Sequence, residues 1–387
     1  MSRQQKDKAL ADLIRMSRRA GKPIAWTQGS SGNTSVKTDD GKHIFIKASG
    51  TALRNMSIKK GWRRLRFDKV LSIINDSRLT NLPAVKRERE TANRLLNACD
   101  DNFAGDIKPS IEAPLHALLG KCVIHLHPTA IGAYTSAKNG KSEIAKLFKN
   151  VNYSPLWIPH ASSGLTLAKK AEELINGYQR RLGITPSVLF LAKHGLFVSA
   201  KTPDEAIRLT QGVINRCKSN LPGRVVLCRR PAEKDVKAAK IAIAGAISTL
   251  SGYRPNVSFF YNSNIAEFIS RKDAAKLPAK GPLSAAEIVY AGGAPIWISS
   301  LDEVVAGLKP ILKKGNGLPA AYVVKNLGLF IAANRENVSA IAEVISGSLF
   351  VRSRATQFGG VLALSRREQE FIKRCYLPQP FYRADEK

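Results

Sequence analysis

Two stretches of this chain echo one another, and the echo limits what the chain can become. "LFLAKHGLFVSAKTPDEAIRL", Leu189 to Leu209, and "YVVKNLGLFIAANRENVSAIAEV", Tyr322 to Val344, share one plan. Each runs from an apolar strand into Gly-Leu-Phe, leaves through small residues and enters a helix. A strand–turn–helix unit cannot bury its apolar face alone, so two copies in one chain point to a duplicated α/β fold. The echo is imperfect at one position. Leu327 stands where the first copy has His194, so the second copy has lost at least one polar residue.

The region before and around the first copy has the punctuation of such a fold. "MSRQQKDKALADLIRMSRRAGK" reads as an amphipathic helix, with Leu10, Leu13, Ile14 and Met16 towards the core. "GNTSVKTDDGKHIFIKASG" reads as a hairpin, because Thr-Asp-Asp-Gly is turn chemistry between two β-rich runs. A helical region ends in "ETANRLLNACDD", and "KCVIHLHP" is a strand. "TAIGAYTSAKNGKSEIAKLF" is helical early and late with a break between, and "NYSPLWIP" is a short strand. "TLAKKAEELINGYQRRLG" is a helix closed by glycine. "PSVLFLAKHGLFVSA" is either a strand pair or one bent strand. "TPDEAIRLTQGVINRC" is a helix capped by Thr202, with Pro203 at its first position. Turn residues and charge in "NLPGRVVLCRRPAEKD" mark a boundary, which divides the chain into residues 1–228 and 232–387.

Composition narrows the setting. The 387 residues can build a sizeable core, and 44% are hydrophobic. No run approaches the roughly 18 apolar residues needed to span a bilayer, and the start lacks an uninterrupted apolar segment. The cysteines (Cys99, Cys122, Cys217, Cys228, Cys375) are odd in number and form no C-x-x-C pair, which fits a reduced cytoplasmic protein. Lys plus Arg total 61 against 30 acidic residues, a net charge of +31. That excess suits an anionic substrate or nucleic acid. The basic runs ("KKGWRRLR", "KRERE", "SRREQEFIKR") are spread along the chain without interleaved aromatics, and no nucleic-acid-binding motif accompanies them. Nucleic acid is therefore not expected as the main partner.

The candidate chemistry lies in "VIHLHPTAIGAY". On a strand, His125 and His127 point to one side with Leu126 opposite. Two imidazoles on one face begin a zinc site, although two buried hydrogen-bonded histidines would have the same spacing. Catalytic zinc takes three protein ligands and one open position, and His194 is the best third candidate. In "KPSIEAPLHALL", Glu112 falls in the first turn of an apolar helix with Ser110 as its cap. There it could serve the helix dipole or exchange protons at the site. His116, one turn later on the same face, reads as a packed histidine that buttresses the acid. "GSSGNTS" (29–35) and "ASGT" (48–51) are Gly/Ser-rich turns whose backbone N–H groups suit an oxyanion, yet neither is a P-loop or dinucleotide fingerprint.

Taken in order, "GNTSVK", "IKASG", "PSIEAPLHALL", "VIHLHP" and "LAKHGLF" resemble the class II aldolase/adducin family over roughly residues 8–220. The likeness is nearest to the aldolase portion of bifunctional rhamnulose-phosphate aldolase/dehydrogenase proteins, and a weaker resemblance extends to about residue 370. No dinucleotide fingerprint follows. The resemblance implies a three-layer α/β/α domain and a homo-oligomer. The internal echo adds a smaller degenerate copy of the same fold without metal ligands, and the lack of a long apolar run leaves no membrane association expected. The resemblance makes His125, His127 and His194 ligands of Zn2+ or another divalent metal, and Glu112 the acid/base residue. Gly32, Asn33, Ser49, Gly50, Ser110 and Lys47 would hold the phosphate or equivalent of an anionic small molecule. Two positions depart from the family pattern. Ile111 replaces a second serine before the acid, and Lys47 stands where threonine is common. The implied activity is metal-dependent lyase chemistry, with epimerase, dehydratase and decarboxylase as relatives. The alternatives are a non-catalytic adducin-like binding or assembly protein, whose mark would be loss of the histidines, and a basic nucleic-acid-binding protein.

Overall fold

A computed structural model describes residues 3–103, 107–151, 153–223, 229–313 and 317–377. The chain divides into two compact units, Met1–Thr135 with Asn139–Leu221, and Ser136–Lys138 with Pro222–Lys387. Cys228, and the boundary expected at that residue, lie outside the described residues.

The first unit is built on one sheet. Its strands are β1 (Asn33–Lys37), β2 (His43–Lys47), β3 (Trp62–Arg66), β4 (Cys122–Leu126), β5 (Leu156–Ile158), β6 (Val188–Leu191) and β7 (Gly195–Ala200). They lie in the order β3-β2-β1-β4-β7-β6-β5, antiparallel throughout except for β5 beside β6. The stretch read as a strand pair or a bent strand is a pair, β6 and β7, joined by a tight turn.

Alternation along the strands separates two cores. Val36, Phe45, Cys122, Ile124 and Leu126 face the helices Arg3–Gly21 and Pro203–Ser219, where Leu13 and Met16 are fully buried. Ile44, Ile46, Val123, Leu189 and Phe197 face the opposite way, towards the helices Phe67–Asn75 and Leu165–Leu182. Helices on both faces of one sheet make three α/β/α layers. The helix Pro203–Ser219 begins with a capping box from Thr202 and Glu205, and Pro203 takes its first turn.

The second unit repeats half of this plan. Its strands β8 (Val257–Phe260), β9 (Ile296–Ile298), β10 (Ala321–Val324) and β11 (Gly328–Ala332) lie in the order β8-β11-β10-β9. That order and its directions match β4-β7-β6-β5, down to the one parallel pair. The helices correspond too: Leu165–Leu182 links β5 to β6, and Val304–Lys313 links β9 to β10. Even the strained turns agree, since Lys193 (φ 55°) and Asn326 (φ 62°) occupy the same place before the glycine. Among the described residues, the second unit has no counterpart of the β1–β3 meander.

The second unit also carries a buried ion pair. Arg352, fully buried, donates to Glu287 Oε2 at 2.7 Å and to the carbonyls of Leu277 and Gly281, both at 2.9 Å. Ser348 donates to Glu287 Oε1 at 2.7 Å, so both carboxylate oxygens are engaged. Removing one charge strands the other. Arg352→Met is expected to cost about 3–5 kcal/mol in denaturant unfolding. Arg352→Met combined with Glu287→Leu should recover most of that loss; equal losses in the two variants would contradict the account.

Candidate metal centre

Two segments deliver three imidazoles to one point. His125 is on β4, His127 is just past its end, and His194 is in the β6–β7 turn. One nitrogen from each lies within 4.8 Å of the others. The Nε2 atoms of His125 and His127 are 3.0 Å apart. Two nitrogens on a tetrahedral zinc at ordinary bond lengths would be about 3.3 Å apart.

The ring of His125 is fixed from behind. It stacks on Phe197, its cross-strand neighbour, with centroids 4.1 Å apart and planes 17° apart. Its Nδ1–H donates to the Leu196 carbonyl at 3.0 Å, which leaves the Nε2 lone pair facing the other histidines. Burial, with the neighbouring imidazoles, holds His125 and His127 well below the usual histidine range, and burial also lowers His194. Neutral imidazole is the form that binds metal.

Glu112 meets the same point from the other side. Its Oε2 is 3.3 Å from His125 Nε2, and its Oε1 is 3.3 Å from His194 Nε2. Oε1 is buried without a hydrogen-bond partner, which is costly unless a cation or a proton completes it. Three neutral imidazole nitrogens beside an unsatisfied carboxylate oxygen fit a divalent cation by donor chemistry. The local reading of this helix needs one correction. Glu112 precedes the helix Ala113–Ala117 instead of lying in its first turn. Ser110 Oγ accepts the Glu112 N–H at 3.3 Å, so it braces the acid's backbone and not the helix end.

The other expected residues divide into those that reach this cluster and those that shape its rim. Asn33 pairs in register with His125 and donates from Nδ2 to Glu112 Oε2 at 2.7 Å. Gly32 adopts φ +71°, and a Cβ there would lie 2.7 Å from the His125 carbonyl, so the backbones approach only because it is glycine. Lys47 Nζ donates to the carbonyls of Ser30 (3.1 Å), Ala48 (3.2 Å) and Thr51 (2.9 Å), tying the two Gly/Ser turns together. Ser49 and Gly50 are exposed at the tip of the second turn. Ser35 and Phe197 escaped the sequence reading. Ser35 follows Asn33 by two positions and so shares its face, but Phe197 becomes a neighbour only through pairing with β4.

The duplicated unit has no equivalent cluster among the described residues. Strand register sets Phe259 at the place of His125, since each pairs with the phenylalanine of Gly-Leu-Phe. Tyr261 then takes the place of His127, and Leu327 that of His194. The loss inferred from Leu327 alone therefore extends to all three positions.

The first unit thus joins three histidines and a buried carboxylate on one α/β/α domain. The Class II Aldolase and Adducin N-terminal domain family matches residues 11–221, over half of the chain, and the chain belongs to that family. Among solved structures it is similar to the N-terminal class II aldolase domain of a conserved protein from Thermoplasma acidophilum. The identity there is 26% and the TM-score 0.45, over 55% of this chain and 92% of the other. It is similar to an aldolase II superfamily protein from Pseudomonas syringae, at 17% identity and TM-score 0.40 over 57% and 76% of the two chains. It is similar also to L-fuculose 1-phosphate aldolase from Glaciozyma antarctica, at 12% identity and TM-score 0.37 over 62% and 83%. No curated protein matches the chain. Among the described residues, no helix is long and apolar enough to cross a membrane.

Two measurements follow. Metal analysis of the purified protein should find one divalent ion per chain, and His125→Ala with His194→Ala should abolish it; metal content unchanged in that variant would contradict the assignment. Lys47 is the second test, because burial pushes its pKa down from 10.5 to about 8. Between those values the unfolded chain keeps the proton that the folded chain has released, so stability rises with pH across the window. The parent should therefore gain stability relative to Lys47→Met as pH goes from about 8 to 10.5, read by urea unfolding.

Proposed function

We propose that the first unit, taken as residues 1–228, is a divalent-metal lyase that breaks or forms a carbon–carbon bond beside a carbonyl group. The observation that carries this reading is the unpartnered Glu112 Oε1 held beside three neutral histidines. His125, His127 and His194 would hold the cation, and an all-nitrogen set suits zinc. When bound, it supplies Lewis-acid stabilisation of negative charge on a carbonyl oxygen.

The chain's own residues do the rest. Glu112 takes a proton from the substrate and returns it, using the oxygen that no hydrogen bond occupies. The turns around Gly32 and Gly50 receive the substrate's anionic end, and Ser49 offers its hydroxyl there, because its backbone N–H already donates to the Lys108 carbonyl at 2.8 Å. Lys47 stands behind them as a buried positive charge, and Ser110 steadies the acid. The excess of basic residues draws anions towards the site. The substrate class is an anionic hydroxy-carbonyl compound. The motif likeness to rhamnulose-phosphate aldolase/dehydrogenase proteins makes a ketose 1-phosphate the first to try. Epimerisation, dehydration or decarboxylation would draw on the same residues. The reading includes a homo-oligomeric cytoplasmic enzyme, with residues 232–387 as a non-catalytic unit whose aromatic and aliphatic replacements suit packing.

A panel of ketose 1-phosphates, assayed with added zinc and after chelation, tests the proposal. Glu112→Gln should retain the metal and lose about 10²–10⁴-fold in kcat. Turnover that survives chelation, or is unchanged in Glu112→Gln, would sink it.

A further inference from the structure

We infer that Ser35, His116 and Asn33 form a buried relay that sets the orientation of Glu112. This inference rests on Glu112 as the proton-handling residue, and it assigns Asn33 to the acid instead of the substrate. The geometry fixes each member by the next. Glu112 Oε2 can only accept, so the Asn33 group facing it at 2.7 Å is the Nδ2 amide. That turns Asn33 Oδ1 towards His116 Nε2, with which it is hydrogen-bonded. An amide oxygen only accepts, so Nε2 carries the proton of His116. Nδ1 is then an acceptor, and Ser35 Oγ, 2.7 Å away, donates to it.

The relay is rigid because nothing in it is solvated. His116 is fully buried and packs against Phe197 with ring centroids 5.2 Å apart. Burial pushes its pKa down to about 3, so it stays neutral with a single N–H and a single tautomer. Asn33 and Ser35 lie on β1, whose pairing with β4 holds them beside His125. A carboxylate anchored through Oε2 by Asn33 presents Oε1 in one direction only. His116 and Asn33 are thus positioning residues, two bonds and one bond removed from the acid.

The test uses metal-loaded protein labelled with ¹⁵N-asparagine, and it reads the side-chain amide of Asn33, assigned by its absence in Asn33→Ala. His116→Phe keeps the ring against Phe197 and removes the donor. It should move the Asn33 amide signal as Glu112→Gln does, without loss of zinc. His116→Gln, which restores an N–H near Nε2, should return the signal towards its parent position. If His116→Phe does not fold, Ser35→Ala takes its place, removing the hydrogen bond that holds the His116 ring at Nδ1. In turnover, His116→Phe should lower kcat by about tenfold or more with little change in KM, and His116→Gln should recover part of it. An Asn33 signal that stays put in His116→Phe or Ser35→Ala overturns the relay. So does a His116→Phe defect seen in KM alone. The amide signal needs no substrate, so the relay and the lyase reading succeed or fail separately.

Discussion

The hydrogen bond from His125 Nδ1 to the Leu196 carbonyl is where fold and chemistry meet. It exists because β4 and β7 pair antiparallel, with His125 opposite Phe197. It decides which ring nitrogen faces inward, and so whether the cluster offers lone pairs or protons. The β1–β4 pairing adds Asn33 from the other side in the same register. A slip of one residue in either ladder would send His125 to the opposite core, among Ile124 and Leu126.

Comparison of the two units shows which parts of this arrangement belong to folding alone. The second unit keeps the strand order, the parallel pair, the left-handed residue before glycine and the faces that bury apolar residues. It keeps none of the three histidines. Phe259, Tyr261 and Leu327 occupy their places, and the sheet still closes. The histidines are therefore not a requirement of the architecture. The same comparison isolates the β1–β3 meander, which among the described residues belongs to the first unit alone. It is also the element that supplies Asn33, Ser35, Lys47 and the two turns.

Lys47 shows how a residue type can be read correctly for charge and differently for contact. Its position between two Gly/Ser turns suggested a hand laid on an anion. The ammonium instead spends its donors on three backbone carbonyls. Its field still reaches the site, since it interacts with Glu112, but its geometry stabilises the turns themselves. Asn33 makes the same point. Its amide is engaged by Glu112 and His116, and a polar residue next to a glycine turn carries no sign of that in the sequence.

Most of the local structure was legible because it rests on local causes. The hairpin turn, the Thr202 cap, the glycine at the end of Leu165–Leu182 and the period-two placement of His125 and His127 depend on neighbours a few residues away. The duplication was legible from the repeated Gly-Leu-Phe, as was the loss at Leu327. The rest required strands distant in sequence to be laid side by side. Register alone pairs His125 with Phe197 and Phe259 with Phe330, and so reveals that all three histidine positions differ in the second unit. The sequence by itself determined the α/β class, the family and the three candidate ligands, since periodicity and short motifs encode them. Tertiary structure decided the tautomer of His125, the free oxygen of Glu112 and the partners of Lys47 and Asn33. Each of those depends on a hydrogen bond across the sheet or between loops, with no spacing along the chain to announce it.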